Sequence, residues 1–248
     1  MLRKASAITG SAIAAKNGEI GTVSDLLFDN GSWSVRWLVV DTGNFLSRHR
    51  VLLPVSSVTA VVSSKRQFTV NLTVQQAKNS PDVDTDLPVS RQMECNIYGF
   101  YGWDPYWIGL YEGASGVACG PGLGSPLPQS MHAKTAGLEP LNEGDPHLRS
   151  IAEVTGYHIE ASDGPIGHVE DFLVRDGEWR IDYLVIDTNN WWAGTGVLIS
   201  PKSVKEIDWI GRLVKVDADR KAVKESPAYD PSAAIDPLYE KQFLCHDG

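Results

Sequence analysis

The sequence predicts a mainly β chain, folded as two tandem small β-barrels with short C-terminal helices. Three observations carry this reading: an internal repeat, turn dipeptides set between apolar runs, and two-residue alternation in the strand that follows them. Shifting the chain by 146 residues aligns 6–102 with 152–248 without a gap, giving 29 identities over 97 positions. One copy reads TGSAIAAKNGEIGTVSDLLFDNGSWSVRWLVVDTGN, the other TGYHIEASDGPIGHVEDFLVRDGEWRIDYLVIDTNN. A repeat of this length points to one structural unit used twice.

Within each copy, Asn17-Gly18 and Asp163-Gly164 are hairpin dipeptides, and Asn30-Gly31 and Asp176-Gly177 mark a second turn. Gly10/Gly156 and Gly21/Gly167 recur as well, as expected for turns or for close backbone approaches that a Cβ would obstruct. The third strand alternates Val35, Trp37 and Val39 with Arg36, Leu38 and Val40. Its counterpart alternates Ile181, Tyr183 and Val185 with Asp182, Leu184 and Ile186. Alternation assigns the first set of each to the core face and leaves the other face partly covered. VLLPVSSV and VLISPKSV supply a further strand and turn, and Phe68–Leu72 and Leu213–Val216 another strand.

The period then changes. Thr73 and Asp219 are good N-cap residues for the short helices VQQAKNSP and RKAVKESP, which end before Pro81 and Pro227. The tails SRQMECNIYGFYG and DPLYEKQFLCHDG predict a second short helix, packing back through Tyr98 or Leu244. This divides the chain into a first domain at 1–102, a linker at 103–150 and a second domain at 151–248, the two packing as a pseudo-twofold pair. The linker opens with the aromatic WDPYWIGLY, expected to dock on a domain, and continues as a Gly, Pro and Ser-rich stretch without periodicity.

Composition narrows the function classes. The formal charge is −9, with 31 acidic against 22 basic residues and no basic cluster, which disfavours a nucleic-acid partner. No apolar run approaches the roughly 20 residues of a membrane-spanning helix. Cys95, Cys119 and Cys245 are scattered, suggesting neither disulfides nor zinc and fitting a reducing, cytoplasmic setting. The opening MLRKASAITGSAIAA imitates a secretory signal, but the repeat makes it part of a folded domain.

The segments GEIGTVSD and GPIGHVED, the Trp or Tyr strand running into LVVDT or LVIDT, VLLP and VLIS-P, and the helix ending in K-x-S-P resemble the PRC-barrel family. That family is named for the cytoplasmic domain of the photosynthetic reaction centre H subunit and also occurs in a ribosome maturation factor. The ending Tyr101-Gly102-Trp103-Asp104-Pro105-Tyr106-Trp107 is similar to that of free-standing bacterial members. The resemblance implies small closed barrels used as docking or adaptor modules, with no catalytic motif to carry over. The membrane helix of the one and the RNA-associated domain of the other are missing from the pattern.

Candidate chemistry is sparse. Asp25/Asp171 and Asp41/Asp187 recur and would suit acid/base work or a divalent cation, but turn and strand-end hydrogen bonding explains duplicated aspartates more simply. His158 and His168 could meet across a hairpin, yet no metal-ligand spacing is present. No nucleophile elbow, P-loop or dinucleotide fingerprint occurs, so neither a catalytic residue nor a cofactor is assigned. Trp191 and Trp192 occupy the loop position of Phe45 and Leu46. Large apolar residues at one loop of both copies would make a partner-binding hot spot, or would close one end of the barrel core. With Trp103, Tyr106 and Trp107 they form the candidate partner-binding set. The expected function is a non-enzymatic protein-interaction module, able to form homo-oligomers, with a small-ligand or metal sensor as the alternative.

Overall fold

A computed structural model describes residues 1–43, 49–80, 91–103, 148–188, 196–226 and 228–229. The fold is mainly β. The strands are β1 (Leu2–Lys4), β2 (Ala12–Ala15), β3 (Gly18–Asp29), β4 (Ser34–Asp41), β5 (Arg50–Pro54), β6 (Val58–Val62) and β7 (Gln67–Val70), then β8 (Leu148–Ser150), β9 (His158–Ala161), β10 (Gly164–Arg175), β11 (Arg180–Asp187), β12 (Gly196–Ile199), β13 (Val204–Asp208), β14 (Leu213–Val216) and β15 (Ala228–Tyr229). The helices are short: α1 (Ala5–Ile8), α2 (Val74–Lys78), α3 (Arg91–Tyr101), α4 (Ile151–Val154) and α5 (Arg220–Glu225).

The local signals resolve as sequence chemistry requires. Thr73 and Gln76 form a capping box at the start of α2, and Asp219 accepts the N–H of Ala222 at the start of α5. The hairpin tips reach the same two helices: Asn17 accepts the N–H of Val74 at 2.9 Å, and Asp163 that of Arg220 at 2.8 Å. A Cβ on Gly21 would lie 2.0 Å from the carbonyl oxygen of Asp41, and one on Gly167 2.1 Å from that of Asp187. Only glycine fits at these crossings.

The strands join in one sheet along the order β13-β14-β9-β10-β11-β4-β3-β2-β7-β6, with the remaining strands branching from this path. The path is open, where sequence reading expected two closed barrels. Two exchanges carry it through the middle of the molecule. Leu2, Arg3 and Lys4 of β1 pair with Arg175, Val174 and Leu173 of β10, while Leu148, Arg149 and Ser150 of β8 pair with Asp29, Phe28 and Leu27 of β3. These two sets of partners lie 146 residues apart. β4 meets β11 at Ser34 and Arg180, where the N–H of Val35 donates to Trp179 and that of Ile181 to Trp33. Leu148–Ser150, which composition places at the end of the linker, is therefore a strand.

The core corrects the face assigned to the third strand. Val35 pairs with Phe28 but Trp37 with Leu27, leaving Arg36 as an extra residue in a bulge. The bulge reverses the alternation. Val35, Leu38 and Val40 join the main core, whereas Trp37 and Val39 face outward into a second cluster with Leu27, Leu52 and Leu148, beneath Ile97 and Tyr98 of α3. Asp182 does the same in β11, so Ile181, Leu184 and Ile186 point inward while Tyr183 and Val185 point outward. Both faces are buried, which simple alternation could not show. The main core is one continuous cluster drawn from 1–103 and 148–229, with Phe28 and Phe172 at 6.0 Å between ring centroids.

Candidate partner-binding site and the recurrent aspartates

Of the candidate partner-binding residues, Phe45, Leu46, Tyr106, Trp107, Trp191 and Trp192 lie outside the described residues. The roots of the two loops are described. Thr42 donates its N–H and its hydroxyl to the carbonyl oxygen of His49, at 2.9 and 3.0 Å, and Asp41 accepts the N–H of Gly43 at 3.0 Å. On the other loop Asp187 lies 3.7 Å from Nε2 of His168, and Thr188 is buried. Asp41 thus performs the strand-end hydrogen bonding expected of it.

Trp103 is placed, and it is half-buried rather than free. Its N–H donates to Tyr98 at 3.0 Å, and its ring stacks on Tyr101 at 4.2 Å, against the cluster that contains Trp37. The start of the aromatic stretch therefore docks on the outer face of β4, and much of the ring is spent on that contact. Below it, Nε1 of Trp37 donates to the buried carboxylate of Glu94 at 2.8 Å, and Trp37 meets Tyr98 edge-on at 5.0 Å. Burial also raises the Tyr101 phenol above its ordinary value.

Asp25 and Asp171 each sit one residue past a bulge, at Ser24 and Glu170, which turns the carboxylate out of strict register. Each then reaches across the molecule. Asp171 accepts the N–H of Ser6 at 3.2 Å and its hydroxyl, together with the N–H of Phe172 at 2.8 Å. Asp25 accepts the N–H of Ala152 at 3.1 Å, the hydroxyl of Ser150, and the N–H of Leu26 at 2.7 Å. Ser6 lies in the first turn of α1 and Ala152 in the first turn of α4, so each aspartate ties down the start of a helix more than 120 residues away in sequence. Burial raises the Asp25 carboxyl above its ordinary 3.8, against the lowering effect of these hydrogen bonds and of Arg50.

The serines that complete these contacts escaped sequence reading for a reason. The backbone donors Ser6 and Ala152 correspond under the 146-residue shift, but the hydroxyls do not: one comes from Ser6, the other from Ser150. His158 and His168 are cross-strand partners in β9 and β10, yet among the described residues no three metal-ligating side chains gather.

A groove of about 760 Å³ lies where the two exchanged halves meet, lined by Ser32 and Trp33 on one side and by Arg175, Arg180, Asp182 and Lys202 on the other. Asp182 holds both arginines, with Arg180 Nε at 2.7 Å, and the guanidinium of Arg180 is held above its ordinary value chiefly by that hydrogen bond. Trp33 and Trp179 both adopt left-handed backbone, φ 55° and 54°, and pack into the main core, Trp179 against Phe68 of the other half at 5.7 Å. Their identity in the repeat was a signal for this junction that turn chemistry alone did not expose.

Among the described residues no helix is long and apolar enough to cross a membrane. No curated protein matches the chain. A family model does: that of the PRC-barrel domain, over residues 3–76, which spans α1 and strands β2 to β7 and enters α2. Residues 3–76 accordingly form a PRC-barrel domain.

Proposed function

We propose that the protein is a non-enzymatic interaction or adaptor module, made of two barrel-like halves packed as a pseudo-twofold pair. The observation that carries this reading is the exchange: β1 with β10 and β8 with β3, each secured by an aspartate from the opposite half. Such an exchange uses the recurrent carboxylates to fix geometry and favours a rigid scaffold. β4 and β11 are antiparallel and pair only at their first residues, so they run outward from a shared start. The loops carrying Phe45-Leu46 and Trp191-Trp192 follow their far ends. The module would thus offer two separate apolar patches, suited to bridging protein partners in a bacterial cytoplasm.

Capture from a lysate tests this with wild-type chain beside a Trp191→Ala/Trp192→Ala variant. The expected result is a protein partner retained by the wild type and at least tenfold depleted on the variant, with the melting temperature unchanged. Equal recovery on both removes these residues from the interaction. The groove favours a second reading, a small-ligand sensor, because it is roomy and bounded by both halves. A ligand that binds only the folded protein raises the melting temperature, so a thermal-shift screen separates the two readings.

A further inference from the structure

The groove between the two halves breaks the repeat in its charges. Arg175, Arg180 and Lys202 line it, and the residues 146 positions earlier are Asp29, Ser34 and Ser56. The fold stands without cations at these places in its first copy, so packing alone does not call for them in the second. Asp182, whose side chain is 9% exposed, lies between the two arginines and accepts from Nε of each. One carboxylate gripping two guanidiniums fixes both planar forks at the wall of the groove. Arg180 spends Nε on Asp182 at 2.7 Å and Nη1 on Glu178 at 2.8 Å, which leaves Nη2 uncommitted among the described residues. Lys202 is exposed and makes no ion pair among them.

The hydroxyls beside these cations are set to donate. Ser32 already accepts from Nη2 of Arg36 at 3.2 Å, and Ser200 from the N–H of Lys202 at 3.4 Å, so each keeps its own proton for another acceptor. Donors therefore dominate a groove of 760 Å³, a volume far larger than a lone inorganic anion and ordinary for a small-molecule site. Trp33, stacked on Phe28 at 5.5 Å, gives the opposite wall a fixed apolar surface. A phosphate group bears only acceptors at neutral pH and suits a guanidinium fork with an ammonium beside it. We propose, resting on the small-ligand reading of this groove, that its ligand is a small organic phosphomonoester. Arg180 and Lys202 hold the phosphate, and the apolar body lies toward Trp33.

Titration calorimetry on the full-length chain tests this with phenyl phosphate, inorganic phosphate and benzyl alcohol as probes. Phenyl phosphate should bind saturably and raise the melting temperature. Inorganic phosphate, which lacks the body, and benzyl alcohol, which lacks the charge, should each bind roughly tenfold more weakly or worse. Lys202→Glu should weaken phenyl phosphate by roughly tenfold or more, the loss of one charge-assisted hydrogen bond. Its melting temperature without ligand should equal that of the wild type, because Lys202 is exposed and unpaired among the described residues. Absence of saturable binding, or an affinity unchanged in Lys202→Glu, overturns the proposal. Equal binding of inorganic phosphate does so too, since the apolar wall then plays no part. If phenyl phosphate fails while a neutral compound still raises the melting temperature, the phosphate falls and the small-ligand reading stands. If no compound of either kind stabilises the protein, both fall.

Discussion

Asp171 gathers three donors on one buried carboxylate, two of them from Ser6 on the opposite half. Removing the acceptor leaves the buried N–H of Phe172 without it, whereas Ser6 is exposed and can turn to water; a buried group left unsatisfied costs about 1–3 kcal/mol. Asp171→Ala should therefore destabilise the fold by roughly 1–3 kcal/mol in equilibrium urea unfolding. Asp25→Ala should cost less, because its carboxylate is only half-buried. Asp25 also has a distinct pH signature. Its carboxyl is raised above 3.8 by burial, so between that value and its folded pKa the folded state holds a proton that the unfolded chain has released. Its contribution is therefore present at the acid end of this window and is lost as pH rises through the folded pKa. Relative to Asp25→Asn, wild type should gain stability as pH falls through the window. A constant difference would mean that burial does not govern this group. The recurrence of both aspartates was legible in sequence, and so was a hydrogen-bonding role for them. Their partners were not, since Ser6 and Ser150 lie 165 and 125 residues away from them.

Elements defined by their neighbours in sequence were readable; those defined by a distant surface were not. Thr73 and Asp219 announce α2 and α5 because an N-cap is satisfied three residues on. β4 announces itself as a strand, but its faces exchange roles at Arg36, since a bulge depends on how the partner strand pairs. The consequence is that Trp37 lies under α3 and donates to a glutamate that an amphipathic pattern would place in water. Trp37→Phe keeps most of the ring and removes the donor, leaving a buried carboxylate oxygen without it. This should cost about 1–3 kcal/mol, seen as a lower urea midpoint with unchanged slope. Glu94→Gln should cost less, because the amide oxygen can still accept. Equal effects of the two would mean that the carboxylate charge matters more than the hydrogen bond.

At the scale of the molecule, the main core and the sheet both run through the junction between 1–103 and 148–229. Interfaces of this kind resemble a domain core cut in half more than two domains touching. Cleaving a protease site inserted within 113–126 should therefore leave the two fragments together on gel filtration in native buffer, eluting at the uncut volume. Separation into two species would show that the exchanged strands and the Phe28–Phe172 contact are too weak to hold without the tether. Closed, separate barrels would have predicted such separation far more readily.

The sequence by itself determined the β-rich class, the PRC-barrel domain at residues 3–76, the hairpin turns, the helix caps and the glycines that permit close crossings. Each of these rests on a few consecutive residues whose backbone preferences act locally. Tertiary structure alone decided which face of β4 and β11 points inward, where Asp25 and Asp171 find their donors, and how the N-terminal arm and residues 148–150 trade places. These depend on strand pairing between positions more than a hundred residues apart. Hydrophobic pattern says that a surface is buried; only the path of the chain says against what.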